Sequence, residues 1–366
     1  TIPDLLGKLT RLEVLGLSHN QLTGPVPQSL GYLNLLTLAI DDNILTGDLS
    51  PISSMTTLEY LYGSNNRFKD RLDGGILANL TRLVEVDLSG NYLQASTIPG
   101  YLFSRLSLRV LDLHANQIAG SIPGVLPENT AMEYLSLRDN NISSTIPSQI
   151  SQLRKLTHLD LEENALTGTL PATELAKLTS LSYLFLGKNR LQSGTIPDEL
   201  QTLKELRELS LDALQLTGTI PTWIENFSKL KLLDLRSNSL TGSIPVDFSM
   251  LPELSYLMVS DNYLSGQVPE GLGSRSNLFV VAFHHNNITG DAGQLCQAGV
   301  RLLTTDCDDI ACSCCVTCCD SGSCYQDLLW DMLEYSRGLW EDNFERSNYA
   351  FDPHILFNNK TSKGQP

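Results

Sequence analysis

Long apolar runs are missing from this chain. Nowhere in its 366 residues does one approach the ~20 that a membrane-spanning helix requires, so no such span is expected. Basic residues are scarce too: 25 lysines and arginines stand against 41 aspartates and glutamates, a formal charge of -16. That balance excludes nucleic acid and anionic membrane surfaces as partners, since both select for positive charge. Catalytic motifs are absent as well. There is no G-x-S-x-G, no H-E-x-x-H and no phosphate-cradling glycine loop, and the six histidines are scattered. An enzyme is not expected, and neither is a cofactor. No cysteine precedes Cys296, and no secretory leader opens the chain. Its first residues, Thr1, Ile2 and Pro3, read as the end of an earlier repeat whose strand is missing, so an N-terminal cap is expected to be absent.

What is present is one sentence written twelve times at a spacing of 23 to 25 residues, L-x-x-L-x-L-x-x-N-x-L-T-G-x-I-P. Its asparagines are Asn20, Asn43, Asn66, Asn91, Asn116, Asn140, Asn164, Asn189, Asn238, Asn262 and Asn286, with Leu214 where the ninth is due. Apolar residues stand eight, five and three positions before each, as do Leu156, Leu159 and Leu161 before Asn164. Alternation at period 2 predicts a short strand with leucines on one face and the x residues on the other. One unit cannot bury that face, so the units must stack in parallel into a continuous core. The asparagine amide is expected to satisfy backbone groups of its own and the adjacent turn.

This pattern is that of leucine-rich repeats. The segments LTGPVP from Leu22 to Pro27, LTGTIP from Leu216 to Pro221 and LTGSIP from Leu240 to Pro245 resemble the plant-type subclass. That resemblance implies kinship with the ectodomains of receptor kinases, receptor-like proteins and secreted polygalacturonase inhibitors. The expected fold is an α/β solenoid, a horseshoe of about 12 repeats with a parallel concave sheet. The solenoid is assigned to residues 1–290, a disulfide-rich cap to 291–324 and an amphipathic acidic and aromatic tail to 325–366.

The cap reading rests on Cys296, Cys307, Cys312, Cys314, Cys315, Cys318, Cys319 and Cys324. An even count packed behind the last repeat suits disulfides closing an open core end, although Cys315-x-x-Cys318 also has metal-ligand spacing. Adjacent cysteines point in opposite directions, which favours bridges to different partners. The D-C then C-x-C-C-x-x-C-C run after the repeats is similar to extracellular repeat proteins of diatoms and related stramenopile algae, which implies a secreted or cell-surface protein. Glycosylation sequons at Asn79, Asn141, Asn226, Asn287 and Asn359 agree with a secretory route, but roughly four arise by chance at this composition, so their number decides nothing.

Aligned in columns, the x residues of the middle repeats are Glu85, Asp87 and Asp112, then Tyr134, Ser136, Arg138 and Asp139, then His158, Asp160, Glu162 and Glu163, then Tyr183, Phe185 and Lys188. An aromatic row exposed on a sheet beside carboxylates points to an interface. Tyr134, Arg138, His158, Asp160, Glu162, Tyr183 and Phe185 are therefore the candidate site for a protein, peptide or glycan. The bland alternative is tyrosines that pack across strands and carboxylates that form a solvated face. Hard cations also want clustered oxygens, yet parallel strands spread these carboxylates without an organising loop. No metal is assigned, and His284 and His285 are expected to hydrogen-bond or face water. In the tail, Trp330, Met332, Tyr335, Leu339 and Trp340 form a helical apolar stripe that would cover the solenoid or dock on another chain. Two functions remain: a receptor-like or adhesive recognition module, or a structural component of an extracellular matrix or filament assembled through lateral faces and the tail. Ice binding would need flat, regular ranks of threonine or asparagine, and the convex positions are too irregular.

Overall fold

The computed structural model describes residues 1–127, 130–245, 250–269, 271–274, 277–298, 300–306, 309–311, 315 and 317–318. Two compact units divide the chain, Thr1–Val316 and Thr317–Pro366. The tail stripe of Trp330, Met332, Tyr335, Leu339 and Trp340 lies outside the described residues, as do Asn359, Cys307, Cys312, Cys314, Cys319 and Cys324.

The first unit is the solenoid. Its sheet has 13 parallel strands, from Val14–Gly16 through Tyr134–Ser136, His158–Asp160 and Tyr183–Phe185 to Leu302–Thr305. Every strand is only a few residues long because the sentence supplies only two alternating leucines before its asparagine turns the chain. Register is set by those leucines: Leu135 pairs with Leu111 on one side and with Leu159 on the other. Leu156, Leu159 and Leu161 are fully buried, and the cluster they belong to runs unbroken from Ile2 to Ile310. Burying one such leucine contributes about 1.5–3 kcal/mol. Prolines start the short 3-10 turns on the other side, such as Gln28–Tyr32 after Pro27 and Thr222–Asn226 after Pro221, where their fixed φ fits and no donor is needed. Few helices are present, which agrees with a leucine-rich repeat horseshoe.

The asparagine ladder holds the turns. The Asn66 amide nitrogen donates to the carbonyls of Ile40, Gly63 and Ser64, at 2.9, 3.4 and 3.0 Å, while its oxygen accepts from the Leu45 N–H at 2.9 Å. Just before each ladder position the backbone is left-handed, from His19 (φ 54°) to His285 (φ 54°), and only Gly90 fills that place with glycine. The gap at Leu214 has a visible consequence. Leu214 offers no amide, and Asn238 accepts from both the Leu214 and Leu216 N–H groups, at 3.1 and 2.9 Å. On the convex side the strand ladder that ends at Ala165–Leu166 resumes only at Thr217–Thr219, with a lone bridge from Thr195 to Thr217 between them.

Residues assigned to the cap begin by continuing the solenoid. Leu302–Thr305 pairs with Val280–Ala282, and Ile310–Ala311 pairs with Gly290 and Asp291. Cys296 sits on the helix Gly293–Ala298, and both Cys296 and Cys315 are disulfide-bonded. Among the described residues no helix is long and apolar enough to cross a membrane.

Candidate functional site

The x columns lie where the alternation puts them. Tyr134, His158 and Tyr183 are direct register partners, and so are Ser136, Asp160 and Phe185. Parallel strands hold such partners one strand spacing apart, which brings flat rings face to face. Tyr134 and His158 are stacked, with centroids 4.2 Å apart and planes 18° apart. His158 also meets Tyr183 at 5.4 Å and Phe185 at 5.6 Å.

This packing corrects one expectation. The alternation predicts an exposed aromatic row, but Tyr134, His158 and Phe185 retain only 2%, 4% and 5% of their surface, and Asp160 and Glu162 are buried as well. Rings at one strand spacing cover each other's faces, so a row of them buries itself to a degree that an isolated tyrosine would not. Tyr183, Arg138 and Lys188 stay partly accessible. Elsewhere in the columns, Tyr60, Tyr62 and Tyr256 are half-buried, and Met258 is buried.

The carboxylates have structural partners. Asp87, Asp112 and Asp160 each accept, at 3.0 Å, the N–H two residues on, from Ser89, His114 and Glu162. Asp234 repeats the motif with Arg236 at 3.1 Å and also takes two guanidinium bonds from the same arginine, at 2.9 and 2.7 Å. An aspartate at a strand end thus closes the turn, a role that short acidic side chains fill well. The Tyr134 hydroxyl donates to Asp112 at 3.2 Å, and Lys188 bridges Glu162 at 3.4 Å and also Glu163. The position before Lys188 is held to glycine, since a Cβ on Gly187 would fall 1.7 Å from an Asp212 oxygen. Burial, reinforced by the neighbouring Asp112, pushes the Asp87 carboxyl up to about 6. Burial likewise raises Glu85, against the Tyr62 hydroxyl that donates to it at 2.6 Å.

Two groupings escaped the column reading. Both mix histidine with aspartate in the left-handed row and the column beside it. His19 contacts Asp42 at 2.8 Å and Asp41 at 3.9 Å; Asp261 contacts His285 at 2.7 Å and His284 at 3.8 Å. Reading positions one and two before the asparagine as columns would have paired them. Burial pushes the His284 imidazole down to about 4. The four described sequon asparagines, Asn79, Asn141, Asn226 and Asn287, are all exposed.

Sequence profiles described as leucine rich repeat match residues 130–191 and 204–264, and a second of the same description matches 11–33 and 107–129. Both profiles describe the repeat. The chain is 36% identical over 123 residues to Receptor-like protein 39 of Arabidopsis thaliana, a match covering 33% of this chain and 14% of that protein. Among solved structures it is similar to a TDR receptor, with a TM-score of 0.75 and 30% identity over 85% of this chain and 52% of that one. It is also similar to the Arabidopsis receptor kinase HAESA, solved in complex with the peptide hormone IDA and the co-receptor SERK1. There the TM-score is 0.71 and the identity 29%, over 89% of this chain and 57% of the other. The chain therefore spans about half of each of those solved chains and a much smaller part of the curated relative.

Proposed function

We propose that this chain, folded as leucine-rich repeats like those of plant receptor-like proteins, is a non-catalytic recognition module that binds an extended peptide or a protein segment along its concave columns between Asp112 and Lys188. The observation that carries the reading is the composition of those columns. The solenoid's stability rests on leucines and asparagines facing the other way, yet the opposite face holds a stacked aromatic cluster flanked by Arg138, Lys188, Asp160 and Glu162. Tyr134 and His158 form the rigid floor, while Tyr183, Arg138 and Lys188 are the accessible contacts. Rigid aromatic anchors beside charges are what interface hot spots are made of. The HAESA complex, whose partner is a peptide hormone, supports the same class of ligand.

An extracellular or cell-surface location goes with this reading, as do a disulfide-stapled cap built from the eight cysteines and glycosylation at the exposed sequons. The finer likeness to algal surface proteins rests on the cysteine run, and a glycan ligand and assembly through the tail rest on sequence alone.

A displayed library of extended peptides, panned against the purified chain, tests the proposal. Tyr183→Ala and Arg138→Ala should each weaken capture of the selected peptides roughly tenfold or more. Tyr32→Ala, exposed and away from the concave columns, should leave capture unchanged. Equal capture by all three variants would sink the concave-site reading. Light scattering on the same sample addresses assembly, which a monodisperse monomer would exclude.

A further inference from the structure

The last strands of the first unit bring two imidazoles and a carboxylate to one point. His285 Nδ1 lies 2.7 Å from Asp261 Oδ1 and His284 Nε2 lies 3.8 Å from Asp261 Oδ2. The two rings are 5.1 Å apart at 78°, and the three donor atoms all fall within 4.8 Å of one another. We propose that Asp261, His284 and His285 form a binding site for one divalent transition-metal ion of the zinc type.

The donor set is the one such an ion takes: two neutral nitrogens and one carboxylate oxygen, with a further position left for water. Metal–ligand bonds of ~2.0 Å in tetrahedral geometry separate the donors by roughly 3.3 Å. The contacts of 2.7 and 3.8 Å straddle that value, so small side-chain rotations would seat the ion.

Each ligand is held from behind. Asp261 and His285 occupy neighbouring left-handed positions, both at φ 54°, so their side chains leave the backbone in parallel. The Asp306 carboxylate accepts the N–H groups of His285 and Asn286 at 2.8 and 3.1 Å and pins that turn. His284 meets the hydroxyl of buried Thr304 through Nδ1 at 2.7 Å, which leaves Nε2 facing Asp261. A metal-ligating histidine ordinarily has such an outer bond, because it fixes the ring and its tautomer. Ser260, in the same column one strand back, has a buried hydroxyl without a hydrogen-bond partner, a group that a metal-bound water would satisfy. Access is from the side of Asp261 and His285, whose side chains are 37% and 34% exposed.

The test is a calorimetric titration of the full oxidised chain with zinc chloride, with a parallel cobalt(II) titration read by absorption. One equivalent of zinc should bind. His285→Ala and His284→Ala should each weaken it at least tenfold, and Thr304→Val by about tenfold. His19→Ala, at the other histidine–aspartate grouping, should leave binding unchanged. His285 is partly exposed, so its variant stays folded, and circular dichroism checks this for each protein. No saturable zinc uptake by the wild type would overturn the proposal. So would uptake that survives in both folded histidine variants, or a thiolate charge-transfer band with cobalt, which would move the metal to cysteine.

Discussion

The two ends of the solenoid place the same residue types at the same point of the repeat and obtain different environments from them. At Asn20 the ladder amide is exposed and donates only within its own repeat, to Leu17 and Ser18; the nearby His19 is 58% exposed. At Asn262 the amide is buried and bonds Leu235, Val259 and Ser260 while accepting from Leu240. His285, at the point of the repeat that His19 occupies, is 34% exposed and meets Asp261 at 2.7 Å. Position in the sentence is therefore not enough to give a residue its role. A neighbour on each side turns a solvated hydrogen bond into a structural one, and covers part of a histidine that is otherwise mostly in water.

The largest test of that contrast is the pair Asn262→Ala and Asn20→Ala. Removing the buried amide strands one donor and several acceptors, so urea unfolding should show a loss of roughly 3 kcal/mol or more, against less than about 1 kcal/mol at Asn20, where water replaces the bonds. Equal losses would mean that burial does not set the ladder's contribution. A smaller effect separates the ends from the middle, where carboxylates face each other instead of imidazoles. Asp87 has a carboxyl raised to about 6, above its unfolded value of about 3.9, so the folded state binds the proton more tightly. Stability from this group is present at low pH and declines as pH rises between about 4 and 6. Asp87→Asn, which keeps an acceptor for Ser89, should gain roughly 1–2 kcal/mol at pH 7 and lose that slope in melts across the range. The smallest effect concerns the left-handed row that links the ends. Ala213→Gly relieves a non-glycine residue at φ 50° and should stabilise by about 0.5 kcal/mol in thermal melts, the relief being partly offset by glycine's entropy. Gly90→Ala should do the reverse, because its Cβ would lie 2.4 Å from Asn65 Oδ1.

Much of the scaffold is legible in the chain. Leu156, Leu159 and Leu161 could be assigned to the core and Asn164 to the ladder from spacing alone, because period 2 and a fixed repeat length leave one way to bury the apolar face. The consequence of Leu214 was half visible: a missing amide could be read, but not that Asn238 would accept two N–H groups. The site was less legible. Tyr134, His158 and Tyr183 were placed in one row, yet read as exposed, since sequence shows which face a ring is on and not how completely its neighbours cover it. Asp112 and Asp160 looked like a solvated strip because their N–H partners are backbone groups, which carry no identity in the sequence. Asp261 and His285 were missed as a pair because the columns were aligned only across the middle repeats, although the same 24-residue spacing that pairs Tyr134 with His158 also pairs them.

By itself, the sequence determined the period, the parallel stack, the direction in which each column points and the exclusion of strongly anionic partners. These follow from local alternation and charge, which need no knowledge of neighbours. Only the tertiary structure decided which column residues are covered, which carboxylates close turns and which histidines converge with an aspartate. Stacking brings residues 20 to 29 positions apart to within hydrogen-bond distance, and at that range small differences in rotamer and burial separate a structural contact from a binding site.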